Sequence, residues 1–209
     1  MADQAFQDIQ QLMRIAPVIP VIMVDDVQDA VPMAQALVAG GLRVLEVTMR
    51  TPAALDAMRA MQSVPGAIVG AGTVLNPAML DQALEAGAQF IVSPGLTDPL
   101  GRAALASTVP FLPGVANAGD IMRGLDLGLT AFKFFPAEAS GGIAALKALI
   151  GPFGGVKFCP TGGITPQNAA QWLALESVLC VGGSWVVPKS PLDYAVVERL
   201  AKEACRLRG

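Results

Sequence analysis

The chain has 209 residues, 53% hydrophobic and 15% charged, with a formal net charge of −3 at pH 7. Such a composition buries one large core and argues against a disordered chain or a basic nucleic-acid footprint. It contains no histidine, which excludes Ser-His-Asp and Cys-His catalysis and any His-ligated metal site, and leaves acid–base work to Glu, Asp, Lys, Tyr, Cys or water.

In chain order, the acidic start MADQAFQDIQ lacks the basic and apolar regions of a signal peptide, and residues 4–14 read as a helix. The first strand signal is PVIPVIMV (17–24), followed by VQDAVPMAQALVAGG, a helix stopped by two glycines. RVLEVT (43–48) is the second strand and TPAALDAMRAM the next helix. AIVGAGT (67–73) precedes NPAMLDQALEAG, where Asn76 caps and Pro77 opens the helix. QFIVSP (89–94), PFLPGV (110–115), TAFKFFP (130–136), VKFCPTGG (156–163) and VLCVGGS (178–184) complete eight strand signals. TDPLGRAALAS, NAGDIMRGLDLG and TPQNAAQWLAL supply further helices between them.

Strand then helix, repeated eight times, predicts one domain over residues 1–209: a closed (β/α)8 barrel whose N-terminal helix caps the bottom. An open doubly wound sheet is the alternative. The uncharged run from Ala103 to Gly119 is broken by Pro110, Pro113 and Gly114, so no membrane span is expected. Three unpatterned cysteines, Cys159, Cys180 and Cys205, suit a reducing cytoplasm, and Cys159 reads as a small core residue.

Side chains two apart on a strand share a face. That rule joins Val44, Glu46 and Thr48, leaving Leu45 and Val47 for the helices; it joins Ala131, Lys133 and Phe135, and likewise Val69, Ala71 and Thr73. Glu46, Arg50, Thr73, Pro94, Lys133, Thr161 and Ser184 all fall at or just past the ends of their strands, where barrel enzymes place their active sites. Asp25 and Asp26, at the mouth of the first strand, read as a helix cap and a solvated charge. Lys157 lies four residues before Thr161, roughly 13 Å below the mouth and near the floor.

The glycine pairs of CPTGGIT (159–165) and CVGGSW (180–185) admit close approach of backbone N–H groups to an anion, with a following helix dipole to help. In a barrel these are the loops after strands seven and eight, a recurrent phosphate site; tight turns alone would also call for such glycines. Lys133, among Phe132, Phe134 and Phe135, has the least hospitable surroundings for a charge. Burial and a neighbouring cation such as Arg50 favour a neutral amine able to condense with a ketone, whereas a close Glu46 favours an ion pair. Both readings stand on the residues alone.

The segments PVIPVI, GGLRVLEVTMRT, VGAGTVLN, SPGLT, FKFFPAE, CPTGGI and VGGSW, in register from about Ile15 to Pro188, closely resemble the bacterial 2-keto-3-deoxy-6-phosphogluconate (KDPG) and 4-hydroxy-2-oxoglutarate (KHG) aldolases. The resemblance implies a class I, metal-free, cofactor-free homotrimer acting on a phosphorylated keto acid. It implies that Lys133 forms the imine, that Glu46 moves protons, and that Arg50 and Thr73 hold the substrate carboxylate. Thr161, Gly162, Gly163, Gly183 and Ser184 would take the phosphate, with Pro94 and Phe135 lining the pocket. GVANAGDI departs from the family, where Thr-Pro is more usual before the helix, but Asn117 still caps.

Overall fold

The computed structural model describes residues 8–107, 109–188 and 192–208. Residues 4–7 of the expected first helix lie outside them. The rest of that helix is α1 (Ile9–Met13), opened by Asp8, whose side chain accepts from the Gln10 amide. Next come β1 (Val18–Ile22), α2 (Ala30–Ala39), β2 (Val44–Thr48), α3 (Ala54–Met61) and β3 (Ile68–Gly72). They lead into α4 (Pro77–Glu85), β4 (Ile91–Val92), α5 (Asp98–Ala106), β5 (Phe111–Leu112), β6 (Gly114–Val115) and α6 (Ala118–Asp126). The chain continues through β7 (Ala131–Phe134), α7 (Gly142–Ile150), β8 (Lys157–Pro160), α8 (Ala169–Leu173), β9 (Val181–Gly183) and α9 (Tyr194–Cys205). Asn76 and Asn117 cap α4 and α6 through their side chains, as their sequences predict. The roles expected of the two aspartates are exchanged: Asp26 caps the short 3-10 turn Val27–Asp29, accepting from the Gln28 amide, and Asp25 is the exposed charge.

All strand pairs are parallel, but they do not form one uninterrupted sheet. Six strands run in the order β5-β4-β3-β2-β1-β9, and three run β6-β7-β8. The regular eight-strand pattern expected from the sequence is therefore altered at PFLPGV. Pro113 has no N–H to donate, so the run divides there into β5 and β6. β5 pairs with β4 and β6 with β7, while the Pro113 carbonyl still accepts from the Lys133 amide at 2.8 Å. On the other side, isolated parallel bridges join Phe158 to Val178 and Thr161 to Gly182.

The curled sheets have two apolar faces. Leu45, Val47, Val69, Ala71, Phe132, Phe134 and Phe158 pack outward with helix residues such as Leu37, Met58 and Trp172. Ile19, Val44, Ile68, Phe90, Val92, Leu112, Ala131, Cys159 and Leu179 pack inward, and Leu12 and Met13 of α1 close this cluster from one end. Both α1 side chains are fully buried, each contributing about 1.5–3 kcal/mol by leaving water. Val69 and Ala71 thus face the helices. The inward positions of β3 are Ile68, Gly70 and Gly72: a Cβ at Gly70 would strike the Phe90 ring, and one at Gly72 the Glu46 carboxylate. Lys157 is half-buried at the start of β8, two residues below Cys159.

Candidate active site

Lys133 Nζ lies 3.0 Å from Glu46 Oε1, and both residues are buried, at 5% and 3% exposure. β2 carries the glutamate and β7 the lysine, strands of different sheets that share no backbone hydrogen bond. The contact therefore spans the interior, and both side chains leave the inward face that Val44 and Ala131 share, as alternation predicts. The amine also sits 5.3 Å from the centroid of the Phe135 ring, a favourable place for a cation. Gly72 makes room for the carboxylate on β3, the strand paired with β2.

Arg50 is exposed just beyond β2, and its Nε donates to Thr48 Oγ1 at 3.3 Å. Thr48 is buried, and its hydroxyl donates in turn to the Ile22 carbonyl at 2.9 Å. Thr73 follows β3 with φ of 61°, a left-handed conformation that a β-branched side chain adopts only at a cost of about 1–2 kcal/mol. Such strain is a mark of a site held in place by its surroundings. Pro94 and Phe135 line a cavity of ≈ 380 Å³ with Val74, Leu96 and Val115; Lys133 and Glu46 do not line it. Ser93, fully buried, fixes the adjoining turn by donating to the Gly95 carbonyl at 2.6 Å.

Thr161 is buried against Gly182, whose missing Cβ leaves room for its hydroxyl, and it donates to the Cys159 carbonyl at 3.4 Å. Gly162 and Gly163 have φ of 99° and 77°. Among the described residues, the backbone amides of Gly162, Gly163 and Ser184 donate to no protein acceptor, so they are available to an anion. Among the described residues, no α-helix begins immediately behind either glycine pair, so the helix dipole expected there is not at the loops themselves. The next α-helix after Gly163 is the five-residue α8, and after Ser184 it is α9, which begins at Tyr194. Gly183 packs against the Trp185 ring. Among the described residues, no three His, Cys, Asp or Glu side chains cluster as metal ligands.

Three residues beside the first glycine loop escape sequence reasoning. Glu138 Oε1 accepts from Asn168 Nδ2 at 3.0 Å and from Trp172 Nε1 at 2.9 Å. Glu138 lies some 30 residues before the α8 segment that carries Asn168 and Trp172, and none of the three stands in an unusual local pattern.

The KDPG and KHG aldolase family model matches residues 9–202. The KHG/KDPG aldolase of Escherichia coli K12 is 57% identical over 199 residues, covering 93% of each chain. The crystal structure of the 2-keto-3-deoxy-6-phosphogluconate aldolase of Zymomonas mobilis ZM4 with 3-phosphoglycerate superposes with a TM-score of 0.94, at 61% identity over 95% of each chain. The KDPG aldolase of Legionella pneumophila, with pyruvate captured as a covalent carbinolamine intermediate, is 44% identical with a TM-score of 0.91, covering 94% of this chain and 97% of that one.

Proposed function

Since the chain belongs to the KDPG and KHG aldolase family, we propose that it is a class I aldolase. It reversibly cleaves 2-keto-3-deoxy-6-phosphogluconate to pyruvate and glyceraldehyde 3-phosphate, and 4-hydroxy-2-oxoglutarate to pyruvate and glyoxylate. The buried Lys133–Glu46 pair carries this reading, because it puts a nucleophile and a base within hydrogen-bond reach in the interior.

Lys133 passes a proton to Glu46 and attacks the C2 ketone, giving a carbinolamine. Glu46 returns the proton to the departing hydroxyl as water leaves, and a cationic iminium remains. The iminium draws electrons from the C3–C4 bond. As that bond breaks, Glu46, directly or through a water, takes the C4 hydroxyl proton, and the aldehyde departs. The resulting enamine is reprotonated at C3, and hydrolysis releases pyruvate and restores the lysine. The imine supplies the electron sink, so no cofactor enters the cycle. Arg50 and Thr73 clamp the substrate carboxylate. Thr161, Gly162, Gly163, Gly183 and Ser184 hold the phosphate, and the uncommitted amides of the glycine loops support that role. Pro94 and Phe135 line the substrate channel.

The scaffold of this chemistry is a closed eight-stranded (β/α)8 barrel. In support, the bridges from β8 toward β9 and the continuity of β5 and β6 through Pro113 join the two sheets end to end. The enzyme is a cytoplasmic homotrimer; exposed Met122 and Leu125 on α6 offer apolar surface for assembly. Light scattering after size exclusion reads three chain masses if this is right and one if it is wrong.

Borohydride reduction in the presence of pyruvate tests the central step. A secondary-amine adduct mapped to Lys133 is expected, and an unmodified chain overturns the imine. The ion pair alone would equally serve a phosphate-binding isomerase or decarboxylase in which Lys133 acts only by its charge; the same trap separates the two. Turnover persists undiminished in EDTA, whereas its loss on chelation and recovery with a divalent cation would mark a metal-dependent aldolase.

A further inference from the structure

Glu138 stands outside every role assigned so far, yet it touches the first glycine loop at several points. Its backbone N–H donates to the Gly162 carbonyl at 3.1 Å, and that of Ala137 to the Thr161 carbonyl at 2.8 Å. Its side-chain stem lies against Gly163, where an added Cβ would stand 2.6 Å from Glu138 Cγ. Oε1 is turned onto Asn168 Nδ2 and Trp172 Nε1. Asn168 Nδ2 also donates to the Gly163 carbonyl at 3.1 Å, and its Oδ1 accepts from the Thr165 amide at 2.8 Å. Trp172 is fully buried, 6.2 Å from the Phe134 ring.

A peptide unit is planar, so holding its carbonyl also fixes the direction of the N–H that follows. The tie from Ala137 to Thr161 orients the Gly162 N–H, and the tie from Glu138 to Gly162 orients the Gly163 N–H. Glycines at positive φ have no intrinsic stiffness, so this orientation must come from their neighbours. Both ties are made by backbone N–H groups, and the Glu138 side chain anchors the segment that makes them: through Oε1 it is fixed to a buried indole, which cannot shift without disturbing the core. A carboxylate beside an anion site would repel its ligand if it faced it; this one spends an oxygen on two donors of the α8 segment.

We propose that Glu138 is a positioning residue that aims the Gly162 and Gly163 amides, and thereby sets the preference for phosphorylated over unphosphorylated keto acids. The inference rests on the reading of the glycine loops as the phosphate site. It is tested by kcat/KM for 2-keto-3-deoxy-6-phosphogluconate divided by kcat/KM for 4-hydroxy-2-oxoglutarate, which has no phosphate. Glu138→Ala lowers this ratio about tenfold, chiefly through KM of the phosphorylated substrate, as expected for a site losing aligned donors. Glu138→Gln, whose amide oxygen still accepts from both partners, keeps the ratio within about twofold. Should Glu138→Ala not fold, Asn168→Ala, which removes one of the two donors that hold Glu138 Oε1, lowers the ratio about threefold. An unchanged ratio in the alanine variants, or equal losses in Glu138→Ala and Glu138→Gln, overturns the proposal. A wild-type chain that turned over neither substrate would instead overturn the aldolase reading, and this inference with it.

Discussion

Lys133 and Glu46 hold opposite charges 3.0 Å apart in the interior, so removing either one strands the other. Lys133→Met and Glu46→Gln should each cost about 3–5 kcal/mol in urea unfolding, while the double variant recovers part of that loss. The activity outcome differs: Lys133→Met abolishes turnover and borohydride trapping, and Glu46→Gln lowers kcat about 10²–10⁴-fold, the usual worth of a positioned base. Gly72→Ala should lower kcat with less effect on KM, because the atoms nearest its methyl are those of the Glu46 carboxylate; an unaltered kcat would show that Glu46 tolerates the move. Burial of both charges was legible in the sequence because each is set among apolar neighbours on a short strand, but their pairing was one of two readings that the residues alone left open. Thr73 was legible by position but not by conformation: its left-handed φ follows from the end of β3 and the turn toward α4, which no local residue pattern signals. Glu138, Asn168 and Trp172 were illegible because each is ordinary alone, and their link runs through hydrogen bonds across 30 or more residues of chain.

Among the elements, α1 and α9 each tie together parts of the chain that are distant in sequence. α1 is short, but Leu12 enters the inward cluster completely; Leu12→Ala should cost about 2–5 kcal/mol, read as a lowered urea midpoint. α9 is tied to the turn after β1 by Tyr194, whose hydroxyl donates to Asp29 Oδ1 at 2.6 Å. That hydrogen bond, aided by burial and by the charges of Asp29 and Asp26, raises the Tyr194 pKa above its usual value of 10.0. Folding then favours the protonated phenol, so the bond contributes fully below pH 10 and is lost as pH rises through the raised value. The Tm gap between wild type and Tyr194→Phe should therefore narrow above pH 10; a gap that widened there would reverse the sign of this coupling. The helices were largely legible because caps and stops are local chemistry, as at Asn76, Thr97 and Asn117. Strand ends were less so: QFIVSP keeps only Ile91–Val92 as strand, since pairing depends on neighbours that a single segment does not contain.

Across the chain, regular strand-and-helix alternation foretold an α/β fold with parallel strands and helices packed outside. The interruption at Pro113 was signalled by the proline itself, but the strand spacing overrode that signal. The consequence is testable by hydrogen exchange. Amides of β2 and β3, which are buried along their whole length and paired on both sides, should exchange slowest, and those at the β5–β6 junction distinctly faster. Uniform protection across the junction would mean that the proline leaves the strand's local stability intact.

The ion pair between β2 and β7 has a further consequence for the proposed cycle. When the amine gives its proton to the carboxylate, both partners become neutral together; when the iminium forms, both charges return. Carbon–carbon cleavage cancels them again, and protonation of the enamine restores them. The two side chains thus sum to zero throughout, and the interior need not solvate a lone ion at any stage of turnover.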